Sequence, residues 1–361
     1  MGVTVPETSP DSIRGVSSGN APVPLSVLDL ATVSSGSDPV AALATTTEVA
    51  RTADRLGYHR LWVAEHHSMP GIASSSPAVL IAHLAANTER VRLGSGGVML
   101  SNHSPLVVAE QFGTLAALAP GRIDLGLGRA PGTDRATAAA LRRADPTADD
   151  FDAELAELTG FLDGSFPAGH PYRHIHAVPG PAQNGADAFR RPPIWLLGSS
   201  GYSARLAGQL GWPFAFAHHF SARNTLPALE LYRRHFEPSD VLDQPYAMIA
   251  ASAFAADTTA EAHRYARTLG LAMLKVRTGR PGLMPSPEEA EAYSYSAAEA
   301  EFIDNWLADV VYGEPDEVTA GLTDLVDRTG ANELMLAANV WGSRSRIRSL
   351  ELIAESYGLT G

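Results

Sequence analysis

From Pro24 to the C-terminus, short apolar runs alternate with longer segments whose apolar residues recur at helical spacing. That rhythm admits few folds, because each run needs a helix to cover it and a neighbouring strand to pair with. Runs at 25–30, 61–64, 91–94, 123–127, 194–197, 214–217, 246–254 and 333–339 read as eight strands. Helices are expected at 39–56, 77–87, 105–119, 149–162, 203–210, 226–236, 259–276, 315–329 and 347–357. An eight-fold strand–helix alternation favours a closed (β/α)8 TIM barrel over an open doubly wound sheet.

Local signals support the boundaries. Asp38 followed by Pro39 is an N-cap with proline at the first helical position, and Gly57 is a stop signal. Val40, Leu43, Ala50, Ala53 and Leu56 are expected to form the apolar face of that helix. Residues 277–297, rich in Pro and Glu, read as an insertion between the seventh and eighth strands, expected to cover the site. Residues 1–22, rich in Ser, Pro and Gly, read as a flexible tail, and 23–361 as a single domain.

Hydrophobic content of 45% and charged content of 19% describe an ordinary soluble globular chain. A net charge of −13 argues against nucleic acid or an anionic membrane as the main partner. No apolar run approaches the ~20 residues of a membrane span. The first residues lack the apolar core of a secretory signal, so a cytoplasmic location is expected. With no cysteine there is no disulfide, thiolate ligand or thiol nucleophile. Redox or covalent chemistry must come from another side chain or from a cofactor.

Chemistry in a parallel α/β barrel gathers where strands end. Glu65-His66-His67 follows the second strand, where strand alternation lets only one histidine face the mouth easily, and it reads equally as a base or hydrogen-bond donor or as an exposed loop cap. Gly94-Ser95-Gly96-Gly97 follows the third strand and reads equally as a floor for a flat ligand or as a β-bulge. Gly126-Leu127-Gly128-Arg129 places a guanidinium at the fourth strand end, as an anion clamp or a structural ion pair. Leu197-Gly198-Ser199-Ser200-Gly201-Tyr202-Ser203 leads into a helix, and has more serines than one N-cap requires. His218-His219 closes the sixth strand. Glu65, His66, His103, His218 and His219 are available as metal donors but lack the usual ligand spacings, so no metal is expected. Trp62, Met69, Met99, His103 and Phe216 are candidates for an apolar pocket.

The segments WVAEHH, LGSGGVML, HSPLVVAEQF, GRIDLGLGRAPGTD and WLLGSSGYSARLAGQLGWPFAFAHHF, in this order, resemble the luciferase-like monooxygenases. The resemblance runs from Leu25 to the last helix and implies a flavin-using barrel. By position, His66 matches a catalytic base beside the flavin, with Glu65 as its neighbour in proton handling. Gly96-Gly97 falls at a non-proline cis peptide under the flavin ring, and Arg129 at an arginine near the phosphate. Ser200 and Ser203 match phosphate-binding hydroxyls, assisted by Ser199 and by the Gly201 and Tyr202 amides. His218 stands where luciferase has a tryptophan in the cofactor pocket, and Gly128 where it has a cysteine. A second phosphate arginine has no clear counterpart; Phe151-Asp152 lies in that neighbourhood, with Arg142 or Arg143 as substitutes.

The implied activity is a two-component monooxygenase, with reduced FMN supplied by a separate flavin reductase. It would insert one atom of O2 into a small organic substrate through a flavin C4a-peroxide, secondary-metabolite tailoring being one setting. A homodimer is implied as well. Light emission and a long-chain aldehyde substrate do not follow. An F420-dependent hydride-transfer oxidoreductase of the same fold, a metal-dependent barrel hydrolase and a non-catalytic flavin-binding protein stand as alternatives.

Overall fold

A computed structural model describes residues 13–129, 133–141, 150–181 and 190–361. Its strands are β1 (Leu25–Asp29), β2 (Arg60–Val63), β3 (Arg92–Ser95), β4 (Val98–Met99), β5 (Ile123–Gly128), β6 (Ile194–Gly198), β7 (Phe214–Ala217), β8 (Ala247–Ala255), β9 (Val311–Gly313) and β10 (Glu333–Ala337). The helices are α1 (Pro39–Leu56), α2 (Pro77–Ala85), α3 (Pro105–Leu118), α4 (Arg135–Ala140), α5 (Phe151–Asp163), α6 (Gly201–Leu210), α7 (His218–Ser221), α8 (Thr225–Arg234), α9 (Thr259–Arg277), α10 (Pro287–Ala292), α11 (Ala297–Leu307), α12 (Pro315–Thr329) and α13 (Ser343–Tyr357).

Strands β1, β2, β3, β5, β6, β7 and β8 pair in that order, all parallel, and β10 joins β8 to β1. The result is the expected closed eight-stranded barrel ringed by helices. Two short strands lie outside the eight: β4 pairs with β5, and β9 extends the upper half of β8. The insertion between the seventh and eighth barrel strands is built from α10, α11 and β9.

The bottom of the barrel, where strands begin, is closed by a buried ion network. Arg60, fully buried, donates to Glu333 at 2.7 Å and to Asp124 at 2.7 Å, and Arg92 donates to Asp124 at 2.5 Å. Tyr246 and Ser26 donate to Glu333, and Trp62 Nε1 donates to Asp124. Two cations face two carboxylates, each with further hydrogen bonds, as burial of charge requires.

Part of the expected tail belongs to this closure, which corrects its reading as flexible from end to end. Arg60 donates to the Ile13 carbonyl at 2.7 Å, Gly15 N–H donates to Tyr246, and the Ile13 side chain is buried. Residues 1–12 lie outside the described residues.

Helix α1 begins and ends as its signals indicated: Asp38 caps Ala41 N–H, and Gly57 ends it in the left-handed conformation. Its buried face holds Ala50 and Ala53 as expected but differs in its first half. Val40 is 77% exposed and Leu43 is also exposed, whereas Thr46 and Thr47 are buried. The threonines go in because they have partners there: Thr46 donates to Asp29 and Thr47 bonds His83. Among the described residues no helix is long and apolar enough to cross a membrane.

Candidate active site

A cavity of about 330 Å3 opens at the other end of the barrel, above the carboxyl ends of the strands. Its apolar wall includes Leu28, Trp62, Met99, Leu197, Phe216 and Met335. Its polar lining comes from strand-end loops: His66 after β2, Gly96-Gly97 after β3, Arg129 after β5, Ser199, Ser200 and Ser203 after β6, and His219 after β7. Residues far apart in sequence meet here because parallel strands deliver all their ends to one face.

Gly96-Gly97 forms the expected cis peptide. Here the structure joins the two readings of the glycine run. A side chain on Gly97 would meet the Gly126 carbonyl at 2.8 Å, and one on Gly94 the Trp62 ring at 2.6 Å. Close backbone packing therefore demands glycine, and the same absence of side chains leaves Gly96-Gly97 bare at the cavity wall.

The turn after β6 does not use its serine for capping. Ser200 sits at the N-cap of α6 with extended backbone, yet its hydroxyl makes no capping bond. Ser199, Ser200 and Ser203 all border the cavity. The start of an eight-residue or longer helix adds unsatisfied N–H groups and positive dipole to that wall. The Arg129 guanidinium stacks on the Tyr202 ring, 4.0 Å from its centroid, and Tyr202 in turn donates to Asp152 at 2.6 Å. Thus Tyr202 supports the arginine and, like Gly201, is not part of the cavity wall. Phe151-Asp152 acts here through this tyrosine, while Arg142 and Arg143 lie outside the described residues.

His66 borders the cavity as expected. Burial pushes its pKa down, partly offset by the charge of Glu65, so the ring is neutral near pH 7. Its Nδ1 is buried without a hydrogen-bond partner. Glu65, in contrast, faces away from the cavity, and its expected role in proton handling requires correction. The carboxylate accepts from Met99 N–H at 3.0 Å, His67 at 2.8 Å and His103 at 2.9 Å. Burial raises its pKa, but the bonds from His103, His67 and Met99 outweigh this and hold it below the ordinary range. Glu65 is an anchor that fixes the β3–α3 connection, including Met99, against the mouth. His103 and Met69 do not line the cavity, whereas Trp62, Met99 and Phe216 do.

His218 is likewise corrected. Residues His218–Ser221 form one helical turn, α7, rather than continuing the strand. His218 bonds Thr225 at 2.7 Å and faces a small neighbouring cavity bordered by Trp306 and Asp309. It is His219 that reaches the main cavity. Strand alternation could tell that one of the two would face in, but the helical turn decides which. The insertion at 277–297 does not line the cavity either. It packs on the loops after β1 and β2, where Met284 pairs with Val33 and Ser35. Among the described residues no group of three His, Asp or Glu could hold a metal ion.

Arg129 carries the one permanent charge among the described lining residues, so a chain of net charge −13 presents a positive, carboxylate-free cavity. An unbonded N-cap hydroxyl, a helix start and a supported guanidinium suit a phosphate; a flat apolar wall with bare backbone suits a ring system.

Comparison with known proteins places the chain in a family. Residues 23–333 match the family model of the luciferase-like monooxygenases. A luciferase-like monooxygenase of Escherichia coli is 44% identical over 91% of this chain and 96% of its own. The N-acetyl-S-alkylcysteine monooxygenase of Bacillus subtilis is 35% identical over 92% and 97%. The crystal structure of apo-MsnO8 superposes with a TM-score of 0.80 at 38% identity, covering 94% of this chain and 98% of that one. More distant structures share the fold alone, among them a type II Baeyer-Villiger monooxygenase in complex with FMN (19%, TM-score 0.69) and an F420-dependent tetrahydromethanopterin reductase (14%, TM-score 0.63). The chain belongs to the luciferase-like monooxygenase family.

Proposed function

We propose that the cavity binds reduced FMN, supplied by a separate flavin reductase, and that the protein uses it with O2 to oxygenate a small organic molecule. The observation that carries this reading is the meeting of Arg129, Ser199, Ser200 and Ser203 beside a flat apolar wall, with no carboxylate among the described lining residues. Reduced flavin would supply the electrons that activate O2. The chain's own part is to bind, orient and exclude water. Arg129 and the three hydroxyls would hold the phosphate, with Gly96-Gly97 against the ring. His66, neutral and with an unpartnered ring nitrogen, would hold or release a proton beside it. Trp62, Phe216 and Met335 keep the ring's surroundings dry.

The name of the Bacillus subtilis relative and the FMN held by a structural neighbour support this choice. F420 is the rival, since another neighbour uses it. A polyglutamate tail would have to lie on a chain of net charge −13, which favours FMN. Rapid mixing of the protein, preloaded with reduced FMN, with oxygenated buffer tests the reading. Flavin reoxidation should follow a course distinct from that of free reduced FMN. Reoxidation at the free rate, with or without protein, would overturn it.

A homodimer accompanies the proposal. Val40 on α1 and Val79 on α2 are 77% and 71% exposed, and Val79 borders a groove with Leu43 and Leu80. Sedimentation should give twice the chain mass; a monomer at micromolar concentration would contradict it.

A further inference from the structure

The two histidines at the cavity differ in a way that sequence does not show. His66 has its Nδ1 buried without a partner, so no contact among the described residues sets which nitrogen carries the proton. His219 is fixed. Its Nδ1 lies 2.8 Å from the backbone oxygen of Ala250, on the adjoining strand β8. A carbonyl oxygen can accept a hydrogen bond and cannot donate one, so Nδ1 carries the hydrogen. In the neutral ring, Nε2 is then a bare lone pair. Burial pushes the ring's pKa down to about 4, which keeps it neutral in ordinary buffers.

The ring borders the cavity among Phe216, Ala217 and Phe220. Around it the wall is apolar, and Trp62 Nε1 is already committed to Asp124. The cavity's charged group, Arg129, can donate and cannot accept. His219 therefore supplies a fixed acceptor between the apolar side chains of Phe216 and Phe220. A ligand that places a polar edge there must offer N–H or O–H, because a carbonyl or ether would face the lone pair.

We infer that His219 is a positioning residue of this site, accepting a hydrogen bond at Nε2 from the imide N3–H of the bound flavin. The isoalloxazine ring carries N3–H as a donor whether oxidised or reduced, so a fixed acceptor finds a partner in either state. The inference rests on the flavin reading of the cavity. A hydroxyl of a co-bound substrate offers the same chemistry, and the test separates the two.

FMN and N3-methyl-FMN are titrated into wild-type protein, His219→Phe and His219→Gln, with binding read by flavin fluorescence and folding by circular dichroism. Nitrogen-detected NMR of the ligand-free wild type at pH 7 reads the tautomer of His219. The expected results are a proton on Nδ1, and binding of FMN roughly tenfold tighter than its N3-methyl analogue. His219→Phe should weaken FMN and erase that preference, and His219→Gln, which retains an acceptor, should restore part of it. A preference that persists in His219→Phe is simple crowding by the methyl group and overturns the inference. Equal binding of both flavins by the wild type overturns it too, and leaves the substrate hydroxyl as the donor to seek. A proton on Nε2 in the ligand-free protein also contradicts it. Failure to bind either flavin, with reduced FMN also unbound in anaerobic calorimetry, would overturn the flavin reading itself.

Discussion

The two ends of the barrel use polar residues in opposite ways. At the bottom, Arg60, Arg92, Asp124 and Glu333 neutralise one another, and Tyr246, Trp62, Ser26 and the Ile13 carbonyl take up remaining bonding capacity. At the top, Ser200 leaves its capping bond unmade, His66 has an unpartnered nitrogen, and His219 presents a bare one. The same strands support both ends. A closed network stabilises and can bind nothing further; a lining with open donors and acceptors is a binding site. Glu65 shows how a carboxylate near the mouth is kept out of the described lining: it is engaged by His67, His103 and Met99.

The contrast is broken most forcefully at Arg60. Arg60→Met leaves the buried Glu333 without its cation and Asp124 with Arg92 alone, and should cost ~3–5 kcal/mol in urea unfolding. His66→Ala, at the top, should change stability by less than ~1 kcal/mol while abolishing oxygenation. Similar losses in both variants would erase the distinction between the two ends.

Acid should erode both ends together. His59 at the bottom and His219 at the top each have a pKa pushed down to about 4, chiefly by burial. An unfolded histidine titrates near ~6.5. Between those values the unfolded chain binds protons that the folded one refuses, so stability is full above pH 6.5 and falls as pH drops toward 4. The upper limit is ~1.4 kcal/mol per pH unit for each histidine. Urea midpoints at pH 7.5 and 5.0 measure the fall. His59→Phe should reduce it, and an unchanged slope would show that this ring titrates freely in the folded state.

At the phosphate cradle, Arg129→Met should weaken FMN roughly 10- to 100-fold and leave riboflavin, which lacks the phosphate, nearly unchanged. Equal loss for both ligands would mean that Arg129 supports the ring and not the phosphate. The smallest effect is expected from Ser200→Ala. It removes a hydroxyl with no capping role, so FMN affinity should fall a few-fold while thermal stability holds within ~0.5 kcal/mol. A stability loss near ~1 kcal/mol without change in affinity would return Ser200 to ordinary capping.

Barrel closure and most element boundaries were legible because they depend on local patterns. The strand runs lie within a residue or two of their positions, and Pro315–Thr329 agrees at both ends. Helices α10 and α11 escaped the Pro- and Glu-rich reading although each begins with a capping box, Ser286 with Glu289 and Ser296 with Glu299. Strand β9 has three residues, too few for any periodicity. Site errors had another origin. Glu65 and His218 were placed by their position after a strand, but their directions depend on partners elsewhere in the chain. His103 lies 38 residues from Glu65, and α7 interrupts the alternation at His218. Contacts of that range are not written in local spacing.

The central claim, that the upper cavity is a flavin phosphate site, is tested most directly by anaerobic calorimetry with reduced FMN and reduced F420. The account predicts one reduced FMN per chain, bound much more tightly than F420, with that affinity lost in Arg129→Met. Tighter binding of F420, or reduced FMN binding that ignores the Arg129 substitution, would contradict it.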